Sequence, residues 1–181
     1  MRWRGTPLRY GPLAQVFHWL TAALVLAAYI LSVGGPEARV YSAAADGARR
    51  VHEFFGMLIF GLVLLRVAWR RLDTAPPAHP GPVWMVWAAK LTQLLLYALL
   101  IAIPLTAILG TWLEGHPLTV LSLDIAPAIA PAHALGQRVI ALHTTLGNVI
   151  LWIAGFHAAA ALLHHFYLGD GVLRSMLPGR R

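Results

Sequence analysis

Long apolar runs separated by short polar or proline-rich breaks dominate this chain. Four of them, at 13–33, 51–69, 90–112 and 138–166, have about the ~20 residues a helix needs to cross the ~30 Å hydrocarbon layer of a bilayer. Helix-ending residues lie between them. Gly34-Gly35-Pro36 closes the first run, a proline-rich connector over 75–82 follows the second, and Pro117, Pro127 and Pro131 interrupt the stretch after the third. Pro104 predicts a bend in the third helix, because an interior proline removes a backbone hydrogen bond. The fourth run predicts a helix that projects past the inner leaflet near His164 and His165 and stops at Gly169-Asp170-Gly171. The apolar loop over 114–137 is expected to lie on the outer membrane surface as a lid. Trp19, Trp84 and Trp87 fit interfacial anchors. Little remains once these runs are subtracted. The expected fold class is all-α: a single integral membrane domain over 1–181, a bundle of four transmembrane helices.

Composition sharpens this. The chain has 181 residues and is 59% apolar, with a mean hydropathy of +0.66, too greasy for an ordinary soluble domain of its size. It has no cysteine, which excludes disulfides, thiolate metal sites and covalent c-type haem, and leaves histidine as the soft-metal or haem ligand. The net charge of +7 would suit nucleic acid, but its distribution argues against that. Arg2, Arg4, Arg9, Arg66, Arg70, Arg71, Lys90, Arg174, Arg180 and Arg181 fall on one side of a four-span topology. Arg39, Arg49, Arg50 and Arg138 fall on the other, with five of the seven acids. This positive-inside asymmetry puts both termini in the cytoplasm. Ala43-Ala44-Ala45 resembles a signal cleavage site, but the preceding apolar run is too long for a signal core and ends about ten residues too early, so the first run is read as a retained span.

Four of the nine histidines, His18, His52, His143 and His157, lie in or at the ends of these runs, where ionisable groups are costly and usually functional. Depth sorts them into pairs. His18 on the first helix and His157 on the fourth lie near the inner side; His52 at the start of the second helix and His143 on the fourth lie near the outer side. His143 and His157 are fourteen residues apart, which returns to within ~40° of one helix face and separates them by ~21 Å along the axis. Two bis-imidazole sites at two depths follow, suited to haem. A haem capped on both faces has no open position, which favours electron transfer over oxygen binding. Each of the four is followed four residues later by a small residue, Ala22, Gly56, Gly147 or Ala161, giving a flat macrocycle clearance on the same face. Packing histidines and a zinc or proton pathway are the competing readings; against the latter, carboxylates are absent from the span centres. His79, His116 and His133 are expected in solvated loops. His164, two turns beyond His157, is a candidate quinone and proton-relay residue. Arg49, Arg50 and Arg138 flank the outer pair, as loop charges, as propionate partners, or as a positive funnel for a small anion.

These residues resemble the bacterial cytochrome b561 family, the di-haem four-helix cytochromes related to cytochrome b subunits of nickel-iron hydrogenases. The resemblance covers nearly the whole chain. It rests on "QVFHWL", on "HEFFG", on "LYALLIAIPLTAILG" and above all on "LHTTLGNVILWIAGFHAAAALLHHFYLGDGVLRSMLP". It implies that His18, His52, His143 and His157 are the axial ligands of two b-type haems. Many relatives have a histidine where this chain has Gln93, so the third helix is expected to contribute no ligand. It also implies an oxidoreductase of the bacterial inner membrane. Single electrons would pass from superoxide, or another small donor at the periplasmic face, to ubiquinone in the bilayer. The alternative is an electron-transfer subunit serving a partner dehydrogenase or hydrogenase.

Overall fold

The computed structural model describes residues 3–74, 76 and 82–178. Arg2, His79, Arg180, Arg181 and most of the proline-rich connector lie outside the described residues. Four helices are long and apolar enough to cross a membrane: α1 (Pro12–Ile30), α3 (Asp46–Leu72), α4 (Val83–Leu113) and α5 (His133–Leu163), the last prolonged by a π-helical turn at His164–Leu168. Short helices α2 (Glu37–Val40) and α6 (Val172–Met176) sit in the outer loop and near the C-terminus. The helices outrun the hydropathy windows at most ends; in α3 the backbone hydrogen bonding continues through charged residues that hydropathy excludes. Asp46, Arg49 and Arg50 form the first turns of α3 and make i,i+3 and i,i+4 ion pairs there.

α1 packs on α3, α3 on α4, and α4 on α5. The core is the seam of the first three, where Leu24 and Ala28 of α1 meet Ile59 and Val63 of α3, with Tyr97, Leu100 and Ile101 of α4 against them. α4 and α5 approach more closely, through glycines. A Cβ on Gly110 would stand 2.6 Å from the Ile140 side chain, and one on Gly136 2.8 Å from that of Glu114. Large apolar side chains such as Leu64, Leu65, Leu94, Trp152 and Phe156 point outward, as helices solvated by lipid require.

The ends of the bundle divide by charge as the sequence asymmetry predicts. At one end the N-terminal segment clasps α6: Tyr10 N donates to Ser175 O, and the Gln15 amide donates to the carbonyls of Tyr10, Ser175 and Leu177. The Trp19 indole, expected as an interfacial anchor, donates to Met176 O at 2.8 Å. This arginine-rich end is the inner one by the charge rule.

The outer loop departs from expectation. It contains an antiparallel hairpin, β1 (Leu118–Val120) with β2 (Leu123–Ile125), in the register Leu118 opposite Ile125. The sequence hides it because the two turn residues are Leu121 and Ser122, not the Asn-Gly or Asp-Gly pairs that mark tight hairpins. Leu121 adopts φ 58° without being glycine. Tertiary contacts hold it. Thr119, 1% exposed, donates its N–H to Glu53 Oε2 at 2.7 Å and its hydroxyl to Asp124 at 2.8 Å.

Candidate cofactor sites

The four histidines come together in the pairs that depth predicts. The rings of His52 (α3) and His143 (α5) have centres 6.1 Å apart and planes at 84°; those of His18 (α1) and His157 (α5) are 6.3 Å apart at 73°. An imidazole nitrogen binds a transition metal at about 2.0 Å and lies about 1.1 Å from its ring centre. Two rings capping one metal from opposite sides therefore have centres about 6.2 Å apart. Both pairs match that spacing. Both also bridge the one divide in the bundle, since α5 packs on α4 and has no comparable packing with α1 or α3.

The remaining donor chemistry fits a porphyrin. Among the described residues no three His, Asp or Glu side chains converge as a metal site. Each pair offers two ligands, and a porphyrin supplies the other four. This weighs against the zinc reading. A Cβ on Gly56 or Gly147, four residues after His52 and His143, would meet no atom within 4 Å, in contrast to the tightly packed Gly110 and Gly136. Those two glycines face open space one turn along from the imidazoles.

The outer rings are oriented by backbone carbonyls. His52 Nδ1 lies 2.7 Å from Ala28 O, and His143 Nδ1 lies 2.9 Å from Ile103 O. Ala28 O is available because α1 ends just beyond it: Ser32 N turns to Tyr29 O, leaving one of the carbonyls that a helix C-terminus strands. With the proton held on Nδ1, each Nε2 presents a lone pair, the usual arrangement of a metal-bound histidine. The inner pair is held differently. The Arg66 guanidinium approaches His18 Nδ1 at 3.5 Å and packs 5.5 Å from the centre of the Tyr97 ring. Gln93 makes no such contact; it accepts from Arg70 at 3.4 Å.

A polar cluster covers the outer pair. Arg49 pairs with Glu53 at 2.7 Å and Asp46 at 2.5 Å and lies 5.0 Å beneath the Tyr41 ring. His116, expected in solvent, stacks on Tyr41 with ring centres 3.5 Å apart and bonds Glu37 at 2.7 Å. Burial pushes the Tyr41 phenol up to about 12, and burial raises the Glu114 carboxyl, with Glu37 adding to the shift. Arg50 pairs with Asp46 and stands 3.9 Å from Asp124. Arg138 is exposed and pairs with no carboxylate among the described residues. His133, also expected in a loop, opens α5.

At the inner end His164 Nδ1 meets Asp170 Oδ2 at 2.5 Å across the π-helical turn, with Gly169 between them in the left-handed region at φ 66°. Sequence reasoning had picked His164 but not its partner. The signal was present in the Gly-Asp-Gly that stops the helix.

Four membrane-length helices, with imidazoles paired across a divide at metal-bridging distance, define a haem-binding membrane electron-transfer protein. The family profile of prokaryotic cytochrome b561 matches residues 9–179, and the chain belongs to that family. It is 32% identical to cytochrome b561 homolog 2 of Escherichia coli K12 over 98% of this chain and 95% of that protein. It is 30% identical to the probable superoxide oxidase CybB of Yersinia pestis over 96% and 98% of the two chains. It is 25% identical to cytochrome b561 homolog 1 of E. coli K12 over 96% and 99%. The family implies b-type haem and a multi-pass bacterial membrane protein.

Proposed function

We propose that this protein is a superoxide:ubiquinone oxidoreductase of the bacterial inner membrane, holding one b-type haem between His52 and His143 and a second between His18 and His157. The observation that carries the reading is the repeated metal-bridging spacing at two depths, which gives a two-step path through the bilayer. The haems, when bound, supply the one-electron chemistry. The balance is two superoxide anions plus ubiquinone plus two protons, giving two dioxygen and one ubiquinol. Superoxide needs no proton at the outer face, so that end has only to attract an anion. Arg49, Arg50 and Arg138 provide positive charge there. Because Arg49 and Arg50 are held by Asp46 and Glu53, most of the attraction falls to Arg138, about 7.5 Å along α5 from His143. Protons are needed at the inner face. There His164, held through Nδ1 by Asp170, keeps Nε2 for a quinone oxygen.

Purified protein given a superoxide source and a soluble quinone is expected to form quinol. Arg138→Glu is expected to lower kcat/KM several-fold at low ionic strength and less at 0.5 M salt, about where screening removes such steering. If the haems stay oxidised under superoxide while dithionite reduces them, the donor is another molecule, and the subunit reading with a partner dehydrogenase takes over. Asp170→Asn is expected to slow quinol formation about tenfold or more while haem reduction by superoxide stays fast, an effect of the size general acid positioning provides. Equal slowing of both steps would remove His164 and Asp170 from the proton path.

A further inference from the structure

The inner end of the bundle has a small cavity between α1, α3 and α4 that the electron path does not use. Its volume is about 30 Å³, and Tyr10, Arg66, Trp69, Arg70, Asp73 and Tyr97 line it. Its polar chemistry is one-sided. Trp69 Nε1 and Tyr97 Oη are buried without a hydrogen-bond partner among the described residues. Arg66 is half-buried in a membrane-spanning helix and makes no ion pair among the described residues; its polar contact there is the 3.5 Å approach to His18 Nδ1. The Asp73 carboxylate in the wall is engaged through Oδ1, which accepts from Gly5 N at 2.8 Å and Thr74 N at 2.9 Å. The residues carrying an indole N–H, a phenol and a guanidinium thus line one cavity, and the first two have no hydrogen-bond partner among the described residues. A buried polar group without a partner is costly, and an unpaired charge costs more, so the arrangement points to a bound acceptor.

Size and charge select its class. A cavity needs at least ~10–15 Å³ of this volume to admit one water, so one of about 30 Å³ suits a small polar group. That accommodates the oxygens of a carboxylate or a phosphate and excludes a quinone ring. We propose that Arg66, Trp69 and Tyr97 form a seat for an oxyanion beside the inner histidine pair. The inference rests on the di-haem reading for one of its two possible sources, a propionate of the inner haem. The other source is the phosphate of an anionic lipid at the inner leaflet.

The geometry also gives Arg66 a reason to leave His18. A metal-bound His18 would carry its proton on Nδ1, and a guanidinium N–H cannot donate to that atom. Seated on the oxyanion, the guanidinium no longer opposes it.

The test uses the full-length, haem-loaded protein, with Arg66→Gln, Trp69→Phe and Tyr97→Phe each made singly. Three quantities are read: haem per chain, the transfer rate of the inner haem to apomyoglobin, and anionic phospholipid retained after detergent exchange, by phosphorus assay. If the oxyanion is the propionate, Arg66→Gln speeds haem transfer about tenfold or more, as loss of a charge-assisted hydrogen bond predicts, and leaves retained phosphorus unchanged. Trp69→Phe and Tyr97→Phe act in the same direction, less strongly. If it is a lipid phosphate, the variants lose tightly held phospholipid and keep the parent's haem transfer rate. Variants that match the parent in both quantities, with two haems per chain, overturn the seat. Fewer than two haems in the parent protein overturns the di-haem reading instead. The phenylalanine variants keep ring packing, so a fold defect confined to Arg66→Gln leaves two independent tests standing.

Discussion

His143→Ala is expected to halve the haem content, from two to one per chain, and to spare the inner haem. The outer and inner pairs sit on α5 fourteen residues apart, ~21 Å along the axis, so removing one ring leaves the other site's geometry intact. His52→Ala is expected to do the same, because its imidazole is the other cap of that site, 6.1 Å from His143 between ring centres. His18→Ala and His157→Ala should instead remove the inner haem. Pyridine-haemochrome quantitation reports the stoichiometry, and the low-temperature α-band should lose a different component in each class. In the outer pair, His52 and His143 are pre-oriented by Ala28 O and Ile103 O. Loss of both haems from every variant, with helicity unchanged, would mean that the two sites are not independent.

Glu53→Leu is expected to be the most damaging substitution outside the histidines, costing about 2–4 kcal/mol, near the range measured for breaking a buried ion pair. Glu53 has two partners at once. Oε1 pairs with Arg49 and Oε2 accepts the N–H of Thr119, and the side chains of Glu53 and Arg49 are each only 11% exposed. Leucine at 53 would leave Arg49 with Asp46 alone, strand a buried backbone N–H and release the hairpin from α3. Glu53→Gln keeps one acceptor oxygen, enough for Thr119 N or for Arg49 but not for both, and should recover only part of the loss. The exposed pair of Arg50 with Asp124, at 3.9 Å, is the internal control: Arg50→Gln should cost under about 1 kcal/mol. Thermal unfolding in detergent measures all three, and limited proteolysis over 114–137 reports the hairpin directly. A Glu53→Leu protein as stable as the parent, with an uncut loop, would show that the hairpin is held by other contacts.

The same positions show where sequence reading succeeds and where it stops. The four histidines were legible because a bilayer makes the background uniform: in runs of Leu, Ile, Val and Ala, an imidazole stands out and its depth follows from counting residues. Their pairing was legible for the same reason, since alternating spans leave only two matches by height. His116 and Glu53 were not. His116 and Thr119 lie in a loop, which has no depth by which to be matched, so the stacking of His116 on Tyr41 and the anchoring of Thr119 by Glu53, at the outer end of its helix, appear only in three dimensions. The hairpin was hidden likewise, its turn lacking glycine and its anchor, Glu53, lying on α3 far away in the sequence.

Hydropathy, arginine placement and the spacing of four imidazoles in the chain determined the membrane bundle, its orientation and the candidate ligands, because each is a one-dimensional quantity fixed by counting along a helix of known rise. Only the tertiary structure decided what surrounds those ligands: which carbonyls orient the outer rings, that Arg49 is neutralised while Arg138 is not, and that Arg66, Trp69 and Tyr97 converge on one cavity. Those facts depend on the rotation and approach of helices distant in sequence. That geometry is set by packing around Val63 and Gly110, and no local pattern encodes it.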